Sequence, residues 1–456
     1  MIKLAYEPYG HQIESIEKMT PLPGFFDMSS PGTGKTLVEL IDFANRRNNG
    51  GGRAVVFAPK SILQAAWGDE IDKATAGMTY GIAMAGNREA PFKDKKLDIV
   101  LTNHDALKSV QNYEWTKLGF DTMIIDESTA VKNPSTQRFK AAKKIAQQMK
   151  WLRVLSGTPR TNTIMDLWSQ TFLLDRGARL GDSYWKFRNT ACEAVQNGPL
   201  PQHVEWRDKP GIELAVFDLL ADISIRHKLE DVIDMPERVI TKLEVELQRA
   251  AKKAYDALVK DSTAELSTGV FVDAVHAAAL MQKLLQTASG AVYTRDGEYA
   301  TLDDNRTEMV MDLLDGRAHS LVLFQWQHQR DELMKAATKR GYAFEVVDGK
   351  YNKEPHQRAA VVKKFQAGEL KVIFAHPKSA GHGLTLTKGT TTIWVSPTWS
   401  SELFEQANAR IYRNGQTERT EFILISAKGT VEEEVYERLG EKLSASEMLM
   451  ALMEDA

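Results

Sequence analysis

Met28-Ser29-Ser30-Pro31-Gly32-Thr33-Gly34-Lys35-Thr36 is the stretch from which the fold follows. It comes after the apolar run Gly24-Phe25-Phe26. It precedes Leu37-Val38-Glu39-Leu40-Ile41-Asp42-Phe43-Ala44, which has helical spacing. Strand, glycine loop and helix in that order build a backbone nest for phosphate. Gly32 and Gly34 let the chain turn tightly, with Pro31 and Thr33 between and beside them. Successive N–H groups then converge on one anion at a helix N-terminus. Lys35 adds a point charge for the outer phosphates, and the Thr36 hydroxyl is a ligand for Mg²⁺. Ser29 stands where such loops usually begin with glycine. The expected ligand is a nucleoside triphosphate with its magnesium ion.

The chain around this loop has 456 residues, which is long for one core and sets two or three domains as the expectation. Charge is nearly balanced at −3, so no global basic field draws nucleic acid in, and any such partner needs a local groove. The single cysteine, Cys192, cannot form an internal disulfide. It is expected to be an inert packed thiol in a reducing cytoplasm. No window approaches the length of a membrane span, and the N-terminus has no signal-like apolar run.

Upstream of the loop lies Tyr9-Gly10-His11-Gln12. The Gln12 amide offers one donor and one acceptor, which matches an adenine edge. A helix-start residue in solvent is the equal alternative. Downstream, Ala54-Val55-Val56-Phe57-Ala58 has the composition of a buried parallel strand and runs into Pro59-Lys60-Ser61. Ligands of open α/β sheets meet the carboxyl ends of strands, so these three residues sit where a ligand would be touched. The strand Asp98–Leu101 likewise ends in Thr102-Asn103-His104, with His104 expected to be a loop residue or a phosphate contact.

Thr122-Met123-Ile124-Ile125 ends in two adjacent carboxylates, Asp126-Glu127. With a phosphate loop upstream, Asp126 is expected to hold Mg²⁺, usually through water. Glu127 is expected to orient and deprotonate the attacking water. Ser156-Gly157-Thr158-Pro159 closes the next strand, and its hydroxyls are placed to sense the γ-phosphate. The basic run Arg138–Lys144 is expected to be a solvated helix face. Residues 166–286 are expected to be mainly helical, with Trp168, Phe172, Leu173, Tyr184, Trp185 and Phe187 in the core.

The second half repeats the α/β rhythm at Ser320–Phe324, Phe344–Val347, Lys371–Ala375 and Thr392–Val395, without a phosphate loop of its own. After the third strand, Ser379, Gly381 and Gly383 are expected to offer a hydroxyl and free backbone N–H groups to a phosphate. Arg410 and Arg413 are three apart and so share one face if helical, with Gln406 a turn earlier. Two permanently charged forks on one face suit arginine fingers for a γ-phosphate. Gln406 is a further contact for that phosphate or the attacking water. The tail methionines Met448, Met450 and Met453 are expected to pack.

Asp126-Glu127-Ser128-Thr129-Ala130-Val131-Lys132-Asn133 and Ser156-Gly157-Thr158-Pro159-Arg160-Thr161-Asn162 resemble the SWI/SNF-type branch of superfamily-2 helicases. Gln406-x-x-x-Arg410-x-x-Arg413-x-Gly415-Gln416 matches the same family at every fixed position, whereas Thr129 replaces its usual histidine. The resemblance implies two RecA-like α/β lobes with helical insertions and an ATP cleft between them. One lobe with its helical protrusion would span 1–236, the other 237–456. It implies a Mg-ATP-dependent motor that tracks along duplex, forked or branched DNA by its phosphates. Pro59, Lys60, Ser61, Thr102 and Asn103 would form one gripping surface, and Ser379, Gly381 and Gly383 the other. The size suits a compact bacterial or phage motor in the cytoplasm. It would be a monomer, acting on replication forks or recombination intermediates beside the proteins of those processes. An RNA-directed helicase and a non-motor, nucleotide-gated DNA clamp are the alternatives.

Overall fold

The computed structural model describes residues 1–159, 163–196, 204–267, 274–294, 296–381, 384–437 and 439. Gly383, Arg160, Thr161, Asn162 and the tail methionines lie outside the described residues. The chain divides into two compact units, Met1–Val195 with Glu205–Met235, and Gln196–Val204 with Pro236–Ala456.

The first unit is built on seven parallel strands: β1 (Gly24–Asp27), β2 (Arg53–Ala58), β3 (Tyr80–Ala83), β4 (Ile99–Asn103), β5 (Phe120–Ile125), β6 (Trp151–Leu155) and β7 (Ser224–Ile225). Their order across the sheet is β7-β1-β6-β5-β2-β4-β3. A parallel sheet is covered on both faces, so its strands carry apolar residues on both sides. All six residues of β2 are buried accordingly. Val55 and Phe57 pack into one core with Trp115 and Phe120. Ala54, Val56 and Ala58 pack into the other, with Leu40, Phe43 and Trp67.

Helix α1 (Gly10–Met19) precedes β1, and α2 (Lys35–Asn48) follows the glycine loop. α2 buries Val38, Leu40, Ile41, Phe43 and Ala44, but also Glu39 and Asp42. Arg153, fully buried in the middle of β6, answers these two acids. Its Nη2 lies 3.2 Å from Asp42 Oδ2, and its Nε lies 4.0 Å from Glu39 Oε2. Burial still pushes the Glu39 carboxyl well above the carboxylate range, against the pull of Arg153.

The second unit carries six parallel strands: β8 (Arg238–Val245), β9 (Ser320–Leu323), β10 (Phe344–Val347), β11 (Val372–Ala375), β12 (Thr391–Trp394) and β13 (Thr420–Ala427). Their order is β8-β13-β12-β9-β11-β10. Two RecA-like parallel-sheet units are the fold that the sequence predicts. Four strands of this sheet lie where the apolar runs put them. β8 and β13 were not expected. β8 alternates exposed and half-buried residues and gains its ladder only from β13, about 180 residues away in sequence. Arg306 is buried beneath this sheet. It donates to Glu432 Oε2 at 2.6 Å, to the Ala288 carbonyl at 3.0 Å and to Ser396 Oγ at 3.1 Å.

The described part of 166–286 is mainly helical as expected, with a two-stranded sheet, Cys192–Gln196 and Val204–Asp208, and the strands β7 and β8 within it. Two expectations need correction. Trp185 is 62% exposed, although Trp168, Phe172, Leu173 and Phe187 are core residues. Its indole lies against solvent beside the Arg188 guanidinium, 4.7 Å from the ring centroid. Finally, the helix before Arg410, α3 (Ser401–Asn408), stops at Asn408. Arg410 and Arg413 therefore sit on the turns beyond it and do not share a helix face. Asn408 Oδ1 accepts the Trp394 indole N–H at 3.0 Å, a tertiary bond that fixes the last residue of the helix.

Two buried histidines give stability a pH dependence of known sign. Burial pushes His328, which lies between Tyr293 and Ser289, down to about 4. The unfolded chain then binds the extra proton first, so this contribution is complete above the ordinary histidine value and is lost as pH falls towards 4. His328→Gln is expected to remove a loss of about 2 kcal/mol between pH 7 and pH 5. Urea unfolding of both proteins at the two pH values measures it, and parallel pH profiles would contradict it.

Candidate functional site

The glycine loop leaves β1 at Asp27, whose buried carboxylate accepts the Ser29 N–H at 2.9 Å. Gly32 and Gly34 have φ of 90° and 84°, the left-handed region that glycine enters freely. A Cβ on Gly34 would also stand 2.3 Å from Gln12 Nε2. Lys35 curls back, and its Nζ donates to the carbonyls of Ser29 at 2.6 Å and Ser30 at 3.1 Å. The ammonium thus lies within the loop. Thr36 is the second residue of α2.

Neighbouring elements hold the loop in shape. The Thr33 carbonyl faces His11 Nε2 at 2.9 Å and accepts from Gln12 Nε2 at 3.1 Å. Gln12 Oε1 accepts the Tyr9 N–H. Gln12 is buried, so it is not a solvated helix start, and its amide secures the loop. On the other side, Ser29 Oγ accepts the His227 N–H at 3.1 Å, and the Ser30 N–H donates to the His227 carbonyl at 2.8 Å. The hydroxyl in place of the usual glycine ties the loop to the strand that borders β1.

The acidic pair follows β5. The Asp126 N–H donates to the Phe57 carbonyl at 2.9 Å. Its carboxylate accepts the Glu127 N–H through Oδ1 and the Trp67 indole N–H through Oδ2, both at 2.9 Å. Burial raises the Asp126 pKa, and Trp67 and Lys35 oppose the rise. Glu127 has φ 50°, a left-handed conformation that costs a non-glycine residue roughly 1–2 kcal/mol. Strain of this kind clusters at functional sites. Gly157 abuts the loop so closely that a Cβ there would lie 2.8 Å from Pro31 Cδ. One residue on, the Thr158 hydroxyl is buried with no hydrogen-bond partner among the described residues, while Ser156 Oγ accepts the Thr158 N–H.

Among the expected polynucleotide contacts, Pro59, Lys60 and Ser61 lie at the carboxyl end of β2, and Lys60 is exposed. Thr102 is fully buried, and its hydroxyl donates to the Ala83 carbonyl at 2.7 Å, so it is spent inside the sheet. Asn103 follows at the strand end. His104 lies in the turn that follows β4, a loop residue as expected. It is buried, its Nε2 lies 2.8 Å from the Asp126 carbonyl, and burial pushes it down to about 4. A carbonyl only accepts, so this nitrogen carries the proton of a neutral ring.

In the second unit, Ser379 and Gly381 belong to a short helical turn, Pro377–Ala380, and its end. The Gly381 N–H donates to the Pro377 carbonyl at 2.8 Å, so it is not free for a phosphate as expected. Gln406 is buried, with its Oε1 3.0 Å from where a Gly381 Cβ would stand. Arg410 Nε donates to the Gln406 carbonyl at 2.7 Å, and Arg413 Nη1 to Thr385 Oγ1 at 2.9 Å. Gln416 is a fastener: its Nε2 donates to the carbonyls of Thr387 and Gly389.

The donors suit a substrate-delivered Mg²⁺. Thr36 and Asp126 offer hard oxygen atoms that could hold such an ion, and no group of three or more acidic, histidine or cysteine residues placed to hold a metal occurs among the described residues. Mg²⁺ is commonly held by one or two side chains together with substrate phosphates and water. The residues that sequence reading passed over are Asp27, His11, His227 and Trp67. His11, His227 and Trp67 act on the loop or the acidic pair from other parts of the chain, where no local pattern marks them, whereas Asp27 holds the loop from two residues before Ser29. No helix among the described residues is long and apolar enough to cross a membrane.

Comparison with known proteins agrees with this architecture. Residues 27–289 match the SNF2-related domain, and residues 305–415 match the helicase conserved C-terminal domain. Protein p41 of Acyrthosiphon pisum secondary endosymbiont phage 1 is 30% identical over 469 residues, covering 98% of each chain. An uncharacterized ATP-dependent helicase of Mycoplasma genitalium is 26% identical over 84% of this chain, which spans 36% of that longer protein. The SWI2/SNF2 ATPase core of Sulfolobus solfataricus, solved with double-stranded DNA, is similar at 22% identity, covering 99% of this chain and 95% of that one, with a TM-score of 0.45. With a glycine loop, an acidic pair and paired arginines on two parallel-sheet units, and a family match over more than half its length, the chain belongs to the SNF2-related branch of the superfamily-2 helicases.

Proposed function

We propose that this protein is an ATP-driven translocase that tracks along duplex, forked or branched DNA during replication, recombination or repair. The observation that carries the reading is the division of labour between the two sheets. One has a phosphate loop with an acidic pair, and the other has two arginines and no phosphate loop. Lys35 and the loop N–H groups would bind the ATP phosphates, and Thr36 and Asp126 would hold Mg²⁺. Bound there, the ion would neutralise charge developing on the β- and γ-phosphates. Glu127 would orient the attacking water and take its proton. Arg410 and Arg413 would meet the γ-phosphate, with Gln406 setting the position of Arg410. Lys60, Ser61 and Asn103, with Ser379, would hold a strand by its phosphates and so move it without reading bases.

The test is steady-state ATP hydrolysis with no polymer, single-stranded DNA, blunt duplex, fork, four-way junction and RNA. Duplex or branched DNA is expected to stimulate turnover at least tenfold. Stimulation by RNA alone would make the enzyme RNA-directed, and indifference to every polymer would remove the motor.

A further inference from the structure

Asp126 is reached from two strand-end segments of the first unit, those that follow β2 and β4. β2 ends at Ala58, passes through Pro59 and the tight turn Lys60–Ile62, and then widens into a π-helical turn, Leu63–Gly68. Such turns are rare and gather at functional sites. This one carries Trp67, which is fully buried against Leu40 and Phe43 of the phosphate-loop helix. The body of the indole is core. Its only polar atom, Nε1–H, is spent on Asp126 Oδ2 at 2.9 Å. From the neighbouring strand end, His104 holds the backbone carbonyl of the same residue at 2.8 Å. The side-chain bond bears on the carboxylate that would face the metal, and the backbone bond fixes where that residue stands.

We propose that Trp67 positions the Asp126 carboxylate for the nucleotide's magnesium ion and relays strand binding at Pro59–Ser61 to it. The relay rests on the translocase reading above, whereas the positioning does not. The physical argument is short. The Asp126 carboxylate has a donor on each oxygen: the adjacent Glu127 N–H on Oδ1, which the local backbone supplies, and the indole N–H on Oδ2, which comes from another element and holds the far oxygen. The indole donor stands six residues after Ser61, on a segment with no slack: a tight turn joined to a wide one, anchored by Leu63, Trp67 and Ile71. A shift of the loop on gripping a phosphate would move the indole and hence the carboxylate. By linkage, Mg-nucleotide would tighten strand binding by the same factor as the strand tightens Mg-nucleotide.

The experiment is calorimetric titration of ADP with Mg²⁺ and with EDTA, each with and without a 30-base-pair duplex. It uses the wild type, Trp67→Phe, and a protein in which Trp67 alone is replaced by 3-benzothienylalanine, which keeps the shape and lacks the N–H. Both variants are expected to bind ADP normally in EDTA and to lose about tenfold of the Mg²⁺-dependent gain, the usual cost of removing a ligand's supporting bond. The duplex is expected to tighten Mg-ADP in the wild type and to lose that effect in both variants, while its own affinity without nucleotide is unchanged. An intact Mg²⁺ gain in the benzothienyl protein would overturn the positioning role, even if the phenylalanine variant failed to fold. An intact duplex effect in that protein would overturn the relay. Failure of the translocase reading would appear separately, as wild-type turnover that DNA does not stimulate.

Discussion

Replacing Arg413 by alanine is expected to lower DNA-stimulated ATP turnover by roughly 10³–10⁵-fold while leaving nucleotide affinity within a few fold. An arginine finger acts on charge that develops in the transition state, so its loss falls on kcat. The Arg413 guanidinium is aimed by a bond from Nη1 to Thr385 Oγ1 at 2.9 Å. Arg413→Lys is expected to recover little, because a point charge replaces the planar fork. Thr385→Val is expected to show a milder loss of the same kind. Single-turnover hydrolysis with nucleotide binding measured in parallel separates chemistry from affinity. Near-normal turnover in Arg413→Ala would remove this residue from the site.

Glu127→Gln is the second variant with a large expected effect. The amide has the carboxylate's shape but cannot take a proton from water, and removal of a general base costs about 10²–10⁴-fold. The backbone at Glu127 is left-handed, and its N–H is bonded to Asp126 Oδ1. Neither feature needs a charged side chain, so the variant should fold and bind Mg-ATP as the wild type does. A motor would lose turnover and movement together and remain trapped with ATP. A nucleotide-gated clamp would lose nothing, and strand-displacement or triplex-disruption assays distinguish the two. Full turnover in Glu127→Gln would show that another group serves the water.

The phosphate loop, the acidic pair and most strands are legible in the sequence because each is a local statement. Gly32, Gly34, Lys35 and Thr36 are contiguous, and a nest of backbone N–H groups is built from consecutive residues. The runs at β2, β5, β9 and β11 are apolar on both faces, as strands in a covered parallel sheet must be. β8 was not legible, since its alternation resembles a surface segment until β13 lies beside it. The shared helix face of Arg410 and Arg413 failed for a related reason: spacing assumes that the helix continues, and it stops at Asn408, two residues before Arg410. Trp185 failed because an aromatic is core on average, not at every position.

By itself the sequence determined two parallel-sheet units, the glycine loop between β1 and α2, and the acidic pair at the end of β5. Those features rest on contiguous residues or on short periods, which the chain carries before it folds. Only the tertiary structure decided what holds these groups in place. The Trp67 indole meets Asp126 across 59 residues, His104 meets its carbonyl across 22, and Arg306 meets Glu432 across 126. A buried donor must find an acceptor wherever the fold brings one, and sequence spacing says nothing about which residue that will be.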